Sequence, residues 1–499
     1  MRKYLFAALA GAALLWLTSP LARAEVKPFA LFGDGMVVQR DAPIIIWGTC
    51  DPGEKVEVEF TFKFDDNKEE KRAGGTTLTK DGTWKMELAK VGAKDVKDLA
   101  KVEGTLTING KTSRVHLGDV WVCSGQSNME MHLSGCKTAK EDIANSKNPL
   151  IRLFTVPHQI AAEPMTEFAA TKNAHQSKWL ECGPDTVGDF SAVGYYFGRD
   201  LQKAEGIPIG LIHSSWGGTI AEAWATKGSL ADNAEFKAMV ENPAKIDNSK
   251  PNPNQATVLY NGMIAPLQPF PVKGATWYQG ESNAGRAYQY RTLFPTMIQS
   301  WRDSWKQPDL PFYLVQLAPF QAPKDQPGDS NWAELREAQL LTTTKLKNTG
   351  IAVITDTVPV KEANDIHPKD KEPAGARLAL CARALTYGEK VEYAGPLYDS
   401  VKFDGNQAIL SFTHVGKGLE AKGEGLQGFT VAGEDKKFYN AKAEIKGDKV
   451  VITCDQVEKP AAVRYGWATF PVVNLFNKDG LPATPFRTDD FPVTTGPKK

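Results

Sequence analysis

Between about Arg114 and Leu385 the sequence repeats one pattern: a short apolar run, a turn containing glycine, and then apolar residues at helical spacing. Few folds accept that alternation. Parallel strands need a crossover long enough to return to the same edge, so the pattern specifies a parallel sheet with helices packed on both faces. The apolar runs are residues 119–123, 207–213, 274–278, 312–317 and 351–355. Helical spacing follows over 288–305, where Leu293, Met297, Ile298 and Trp301 share a face, and over 375–385. Ligands of such sheets bind beyond the carboxyl ends of the strands, so the residues directly after each run are where chemistry is expected.

After the first run stands Gly125-Gln126-Ser127-Asn128. A strand that breaks at glycine and enters a helix can lift one hydroxyl clear of the backbone, close to N–H groups that favour the negative charge of acyl transfer. Ser127 is therefore the candidate nucleophile. A serine at such a point also serves simply to cap a helix, and it is the company of other motifs that selects the catalytic reading. Three further motifs follow runs or loops downstream: Ser215-Trp216-Gly217-Gly218-Thr219, Gln279-Gly280-Glu281-Ser282-Asn283 and Asp365-Ile366-His367-Pro368.

A serine needs a base to take its proton, and His367 is the candidate. Asp365, two residues earlier, is the candidate acid to orient the imidazole, with Glu281 and Asp356 as alternatives. The oxyanion calls for fixed donors: the Ser127 N–H and a backbone N–H at Gly217 or Gly218, where the lack of a side chain lets backbone approach a substrate. Ser215 is a competing nucleophile, because it too ends a strand. Its segment places His213 where the Gly-x-Ser-x-Gly turn has its first glycine, and a bulky residue there crowds the turn.

Taken together, these four motifs resemble the SGNH hydrolases, and more closely the sialate O-acetylesterase family of carbohydrate acetylesterases. The resemblance covers residues 117–384 and extends more loosely into both flanks. It implies an α/β fold, the SGNH three-layer α/β/α domain with a parallel sheet, and hydrolysis of O-acetyl esters on sugars through an acyl-serine, with no cofactor. It also implies that the Gln279 side-chain amide joins the oxyanion donors. In the usual SGNH pattern the acid stands three residues before the histidine; here that position is Asn364. The identity of the acid thus stays open among Asp365, Glu281, Asp356 and a backbone carbonyl. For the sugar, Asn128, Trp216, Arg286 and Arg291 lie near the motifs, with Arg377 a further cation. A sialate carboxylate calls for arginine, whereas a neutral xylan-type polysaccharide calls for aromatics such as Trp216, Trp224, Trp277 and Tyr278. A reading from another class is a carbohydrate-binding protein on the same scaffold without catalysis; the joint presence of Ser127, Gln279 and His367 argues against it.

The flanks read differently. Residues 25–113 contain short β-branched runs punctuated by Asp51-Pro52-Gly53, Asp81-Gly82 and Asn109-Gly110, an N-terminal β-sandwich pattern. Strand-like runs return over 389–499, giving a C-terminal β domain. The catalytic domain then spans 114–388, with a polar, proline-bearing insertion at 133–188 that rims the site. Residues 1–24 read as a signal peptide, with Arg2 and Lys3 before an apolar run and Ala22-Arg23-Ala24 at the cleavage point, so export to the periplasm or beyond is expected. The 59 basic and 59 acidic side chains cancel, which removes any field for nucleic acid or, after signal cleavage, for an anionic membrane. Of six cysteines, Cys123 and Cys381 read as buried thiols, and Cys136 with Cys182 is the pair best placed for a disulfide. The seven histidines show no spacing for a metal.

Overall fold

The computed structural model describes residues 26–64, 68–77, 82–93, 98–241, 250 and 252–497; the expected signal peptide and Glu25 lie outside them. One strand organises the rest. The N-terminal strands include β1 (Met36–Gln39), β2 (Lys55–Lys63), β3 (Glu69–Thr77) and β4 (Glu103–Ile108), and they lead into β5, Lys111–Gly125. The first part of β5 pairs antiparallel with β4 and parallel with β1. Its second part pairs parallel with β8 (Ile209–Ser215) and β9 (Gly274–Tyr278). A single 11-stranded sheet results. The division expected at residue 113 is therefore bridged by continuous strand. It looked like a boundary because the start of β5 is polar and partly exposed, whereas Leu117 to Gly125 is buried throughout.

The path of this sheet is completed by β6 (Asn148–Thr155), β7 (Trp179–Cys182), β10 (Phe312–Val315) and β11 (Thr349–Ala352), in the order β7-β6-β8-β5-β9-β10-β11. All neighbours on that path are parallel except the β7–β6 edge pair, so the sheet is mixed where a purely parallel one was expected. The insertion at 133–188 is responsible on this path, and the antiparallel N-terminal strands joined through β5 add to it. The insertion contributes β6 and β7 to the sheet instead of only rimming it. Crossovers are made by α2 (Ala192–Glu205), α3 (Ala287–Trp305) and α4 (Asn331–Lys345), and α5 (Glu372–Leu385) follows the last strand of the sheet; α2 packs on α5, and α3 on α4. Among the described residues no helix is long and apolar enough to cross a membrane.

Two buried charges fasten the sheet to its surroundings. Asp119, fully buried in β5, accepts Arg40 Nε and Nη2 at 3.1 and 2.8 Å, Gln39 Nε2 at 2.7 Å and the Tyr387 hydroxyl at 2.8 Å. Every direction of the carboxylate is answered, which is what burial of a charge requires. Arg336 of α4 donates to the carbonyls of Leu317 and Ala318 after β10 and of Ala468 and Thr469 further along the chain, at 2.7–3.0 Å. The C-terminal strands, among them Gln407–Thr413 and Lys449–Thr453, enclose a core of their own around Leu410, Val450, Ile452 and Phe486. All six cysteines are free thiols. The Cys136–Cys182 bridge is thus not formed: Cys136 Sγ faces the His132 carbonyl and Cys182 Sγ the Ser146 carbonyl.

Candidate active site

At the carboxyl end of β5 the chain turns on Gly125, whose φ is +142°. A Cβ there would stand 2.1 Å from the Tyr278 carbonyl of β9, so only glycine lets the two strand ends close. Gln126 N–H then donates to that carbonyl at 3.0 Å, and Ser127 opens a helix of a single turn, α1 (Ser127–Glu130). A helix this short offers individual N–H groups and not a developed macrodipole. Ser127 is partly exposed, while its neighbours Gln126 and Asn128 are buried.

Asn128 ties the motif loops together. Its Nδ2 donates to Glu281 Oε1 at 2.6 Å and to the Ile366 carbonyl at 3.0 Å, and its Oδ1 accepts from the Lys371 ammonium. The residue after the candidate nucleophile is therefore bonded to the residue before His367. Lys371 is buried against the Tyr278 ring, 5.5 Å from its centroid, and burial pushes its pKa down to about 8. His367 is half-buried. Burial and then the Lys371 charge push its pKa below the ordinary histidine value, and the Asp365 charge opposes them. Asp365 also accepts the His367 backbone N–H at 2.9 Å, which fixes the loop. Burial pushes Glu281 above the usual carboxylate range, partly offset by the Asn128 hydrogen bond and Lys371, and its Oε2 is buried without a partner. Asp356 is held elsewhere, in a two-pronged pair with Arg377 at 2.6 and 2.7 Å.

The other side of Ser127 is the Gly217–Gly218 turn. A Cβ on Gly217 would lie 3.3 Å from Ser127 Cβ, so the missing side chain lets the turn approach the serine. Gly217 N–H donates to Glu130 Oε2 at 2.6 Å, whereas the N–H groups of Ser127 and Gly218 meet no acceptor among the described residues. These two are the open donors. Gln279 is not one. It is fully buried, with both amide protons committed to the Thr219 carbonyl at 3.0 Å and Asn283 Oδ1 at 2.7 Å, and with its oxygen taken by the Tyr290 hydroxyl at 2.8 Å. Ser215, the competing serine, is buried and bonded to buried His213, whose Nδ1 has no partner.

Residues 117–379 match the model of the carbohydrate esterase, sialic acid-specific acetylesterase family. The chain belongs to that family. It is 30% identical to human sialate O-acetylesterase over 505 residues, 90% of each chain, and 28% identical to the mouse sialate O-acetylesterase over 92% and 93% of the two chains. A solved carbohydrate acetylesterase from Xanthomonas citri is 38% identical and superposes with a TM-score of 0.80, covering 94% of this chain and all of that one. The protein is thus a carboxylic ester hydrolase acting on O-acetyl groups of carbohydrates.

Within this esterase the sugar-binding candidates separate. Trp216 stacks on His158, with centroids 4.2 Å apart and planes 7° from parallel, and His158 Nε2 lies 2.9 Å from Glu130 Oε1. Trp216 is partly exposed and His158 exposed beside Ser127's turn. Arg286 pairs with buried Glu222 and keeps 41% of its side chain exposed. Arg291 does not face the site: it pairs with Glu337, which also takes Arg487 at 2.7 Å, and so links α3 and α4 to the C-terminal strands. Lys371, Glu130 and His158 were invisible in the motifs. Only Glu130 and Lys371 carried a sequence signal, as charges within four residues of Ser127 and His367.

Proposed function

We propose that the protein is a sialate O-acetylesterase that works through an acetylated Ser127. His367 takes the Ser127 proton as the hydroxyl attacks the acetyl carbonyl, and the oxyanion is held by the N–H groups of Ser127 and Gly218. The same imidazole returns the proton to the sugar oxygen as the C–O bond breaks. Water, activated in turn by His367, then releases acetate and restores the serine. Asp365 is the acid in this reading, because its charge favours the imidazolium and its carboxylate fixes the loop. The observation that carries the proposal is the Asn128 junction, which bonds the Ser127 turn to the His367 loop and to Glu281. The substrate comes from the relatives that bear the name sialate O-acetylesterase along most of their length.

The fold that goes with this reading is the SGNH three-layer α/β/α domain with β domains on both sides. Export is part of it, supported by the charged, apolar and small-residue succession of residues 1–24. The test is acetate release from O-acetylated sialic acid and from acetylated xylo-oligosaccharide side by side. Faster turnover of the sialate is expected; release from the xylo-oligosaccharide alone would replace sialate with a neutral polysaccharide.

A further inference from the structure

Against the Gly217–Gly218 turn lies a cavity of about 640 Å³. Asn254 is the shared wall: its Oδ1 accepts the Ile220 N–H at 2.9 Å and its Nδ2 donates to the Gly218 carbonyl at 3.1 Å. The cavity is therefore next to one of the two open oxyanion donors. Ile220, Met239, Ala256 and Val258 make much of it apolar, as a sugar's carbon face and acyl groups require.

One cation in this lining is fixed. Glu222 is 1% exposed, with Oε1 on Arg286 Nη1 and Oε2 on Asn283 Nδ2 at 3.0 Å, and Gln289 also accepts from Arg286 Nη1. The guanidinium is thus anchored through one nitrogen. Its Nε and Nη2, the side-on edge that meets a carboxylate with two parallel hydrogen bonds, have no partner among the described residues. The other pair on the rim, Lys227 with Glu163, is 4.0 Å apart with both side chains mostly exposed, so solvent screens it and it imposes no geometry. An arginine already held in place loses little freedom when it binds, which favours it over a free surface cation.

We propose that this cavity is the sugar subsite of the esterase and that Arg286 reads the carboxylate of the acetylated acidic sugar through its Nε–Nη2 edge. The proposal rests on the sialate reading and assigns the residue that makes it selective. It is tested by acetate release from O-acetylated sialic acid and from its carboxyl methyl ester, which keeps the shape and loses the charge. The free acid should be preferred by about tenfold or more, the worth of a charge-assisted pair, and Arg286→Gln should bring the two within about twofold. Equal turnover of both sialates by the native enzyme, or an undiminished preference in Arg286→Gln, overturns the role of Arg286 while leaving the sialate reading intact. Turnover of neither removes the substrate reading itself. Should Arg286→Gln fail to fold around Glu222, the native enzyme still decides: free sialic acid should inhibit 4-nitrophenyl acetate hydrolysis more strongly than its methyl ester, and equal inhibition contradicts the proposal.

Discussion

Two neighbouring strands of this esterase each deliver a serine, and the environments of the two differ in almost every respect. Ser215 ends β8 in register with Gly125 of β5, two residues before Ser127. It has what a simple search for catalytic pairs would select, a hydrogen bond to a histidine ring. Yet both partners are buried, the second ring nitrogen has no partner, and burial drives the pKa of His213 down to about 3. Such an imidazole resists protonation and has nothing to orient it, so it cannot carry a proton through a catalytic cycle. Ser127 has no ring contact of that kind, but it is partly exposed, lies against a side-chain-free turn with an open N–H, and shares a hydrogen-bonded junction with the His367 loop. Access and a polarising environment separate the two serines, and contact with histidine does not.

The sharpest way to break this contrast is to remove each hydroxyl in turn. Ser127→Ala should lower kcat on acetylated sugar by about 10³-fold or more, the scale seen when a nucleophile is lost. Ser215→Ala should stay within about threefold of native, since at most a buried hydrogen bond is lost. Reversal of those two results would transfer the nucleophile to β8. Next in size is a stability effect with no catalytic counterpart. Asp119 lies in β5, at the start of the stretch that pairs with β8 and leads to Ser127, and Asp119→Ala leaves Arg40 and Tyr387 without their acceptor. A loss of about 3–5 kcal/mol in denaturant unfolding is expected, with kcat of the folded fraction near native. If activity fell and stability did not, the strand would be transmitting something other than rigidity.

The smallest effect concerns pH. Lys371 adds positive charge beside His367, which disfavours the imidazolium and keeps the ring neutral to lower pH. Removing that charge in Lys371→Met should raise the His367 pKa, so the acid limb of kcat/KM moves to higher pH. Thermal melting followed in parallel separates this from loosening of the Asn128 junction. An acid limb that stays in place would mean that burial and Asp365, without Lys371, set the His367 pKa.

Much of this was legible in the sequence, and the failures have physical causes. The strand at residues 274–278 was read to the residue, because it is wholly buried and bounded by glycine and a turn. Helix α4 was not read at all: its buried positions include Glu334, Arg336, Gln339 and Thr342 beside Trp332 and Leu335, so no apolar period marks it. Glu334, Arg336 and Gln339 are buried because they bond strand ends, loops and the C-terminal segment, which only tertiary structure reveals, while Thr342 bonds back to Ala338 of its own helix. The strands of the insertion went unread because β6 and β7 are separated by a long polar loop, while His158 of the same insertion does reach the site against Trp216. At the site, sequence selected Ser127, His367 and the glycine turn, since each follows a strand or loop with a chemical signature. Gln279 and Arg291 have residue types that suit catalysis and sugar binding, but their hydrogen bonds are committed to Thr219 and Asn283, and to Glu337. Proximity in sequence does not report which donors the fold has already used.

The claim on which the rest depends is that Ser127 is the hydroxyl that becomes acylated. Treating the enzyme with a serine-directed organophosphonate and mapping the adduct by peptide mass spectrometry tests it directly. One equivalent of adduct on Ser127, formed in step with loss of acetate release, is the predicted result; inactivation with the adduct on Ser215 or any other residue would contradict it.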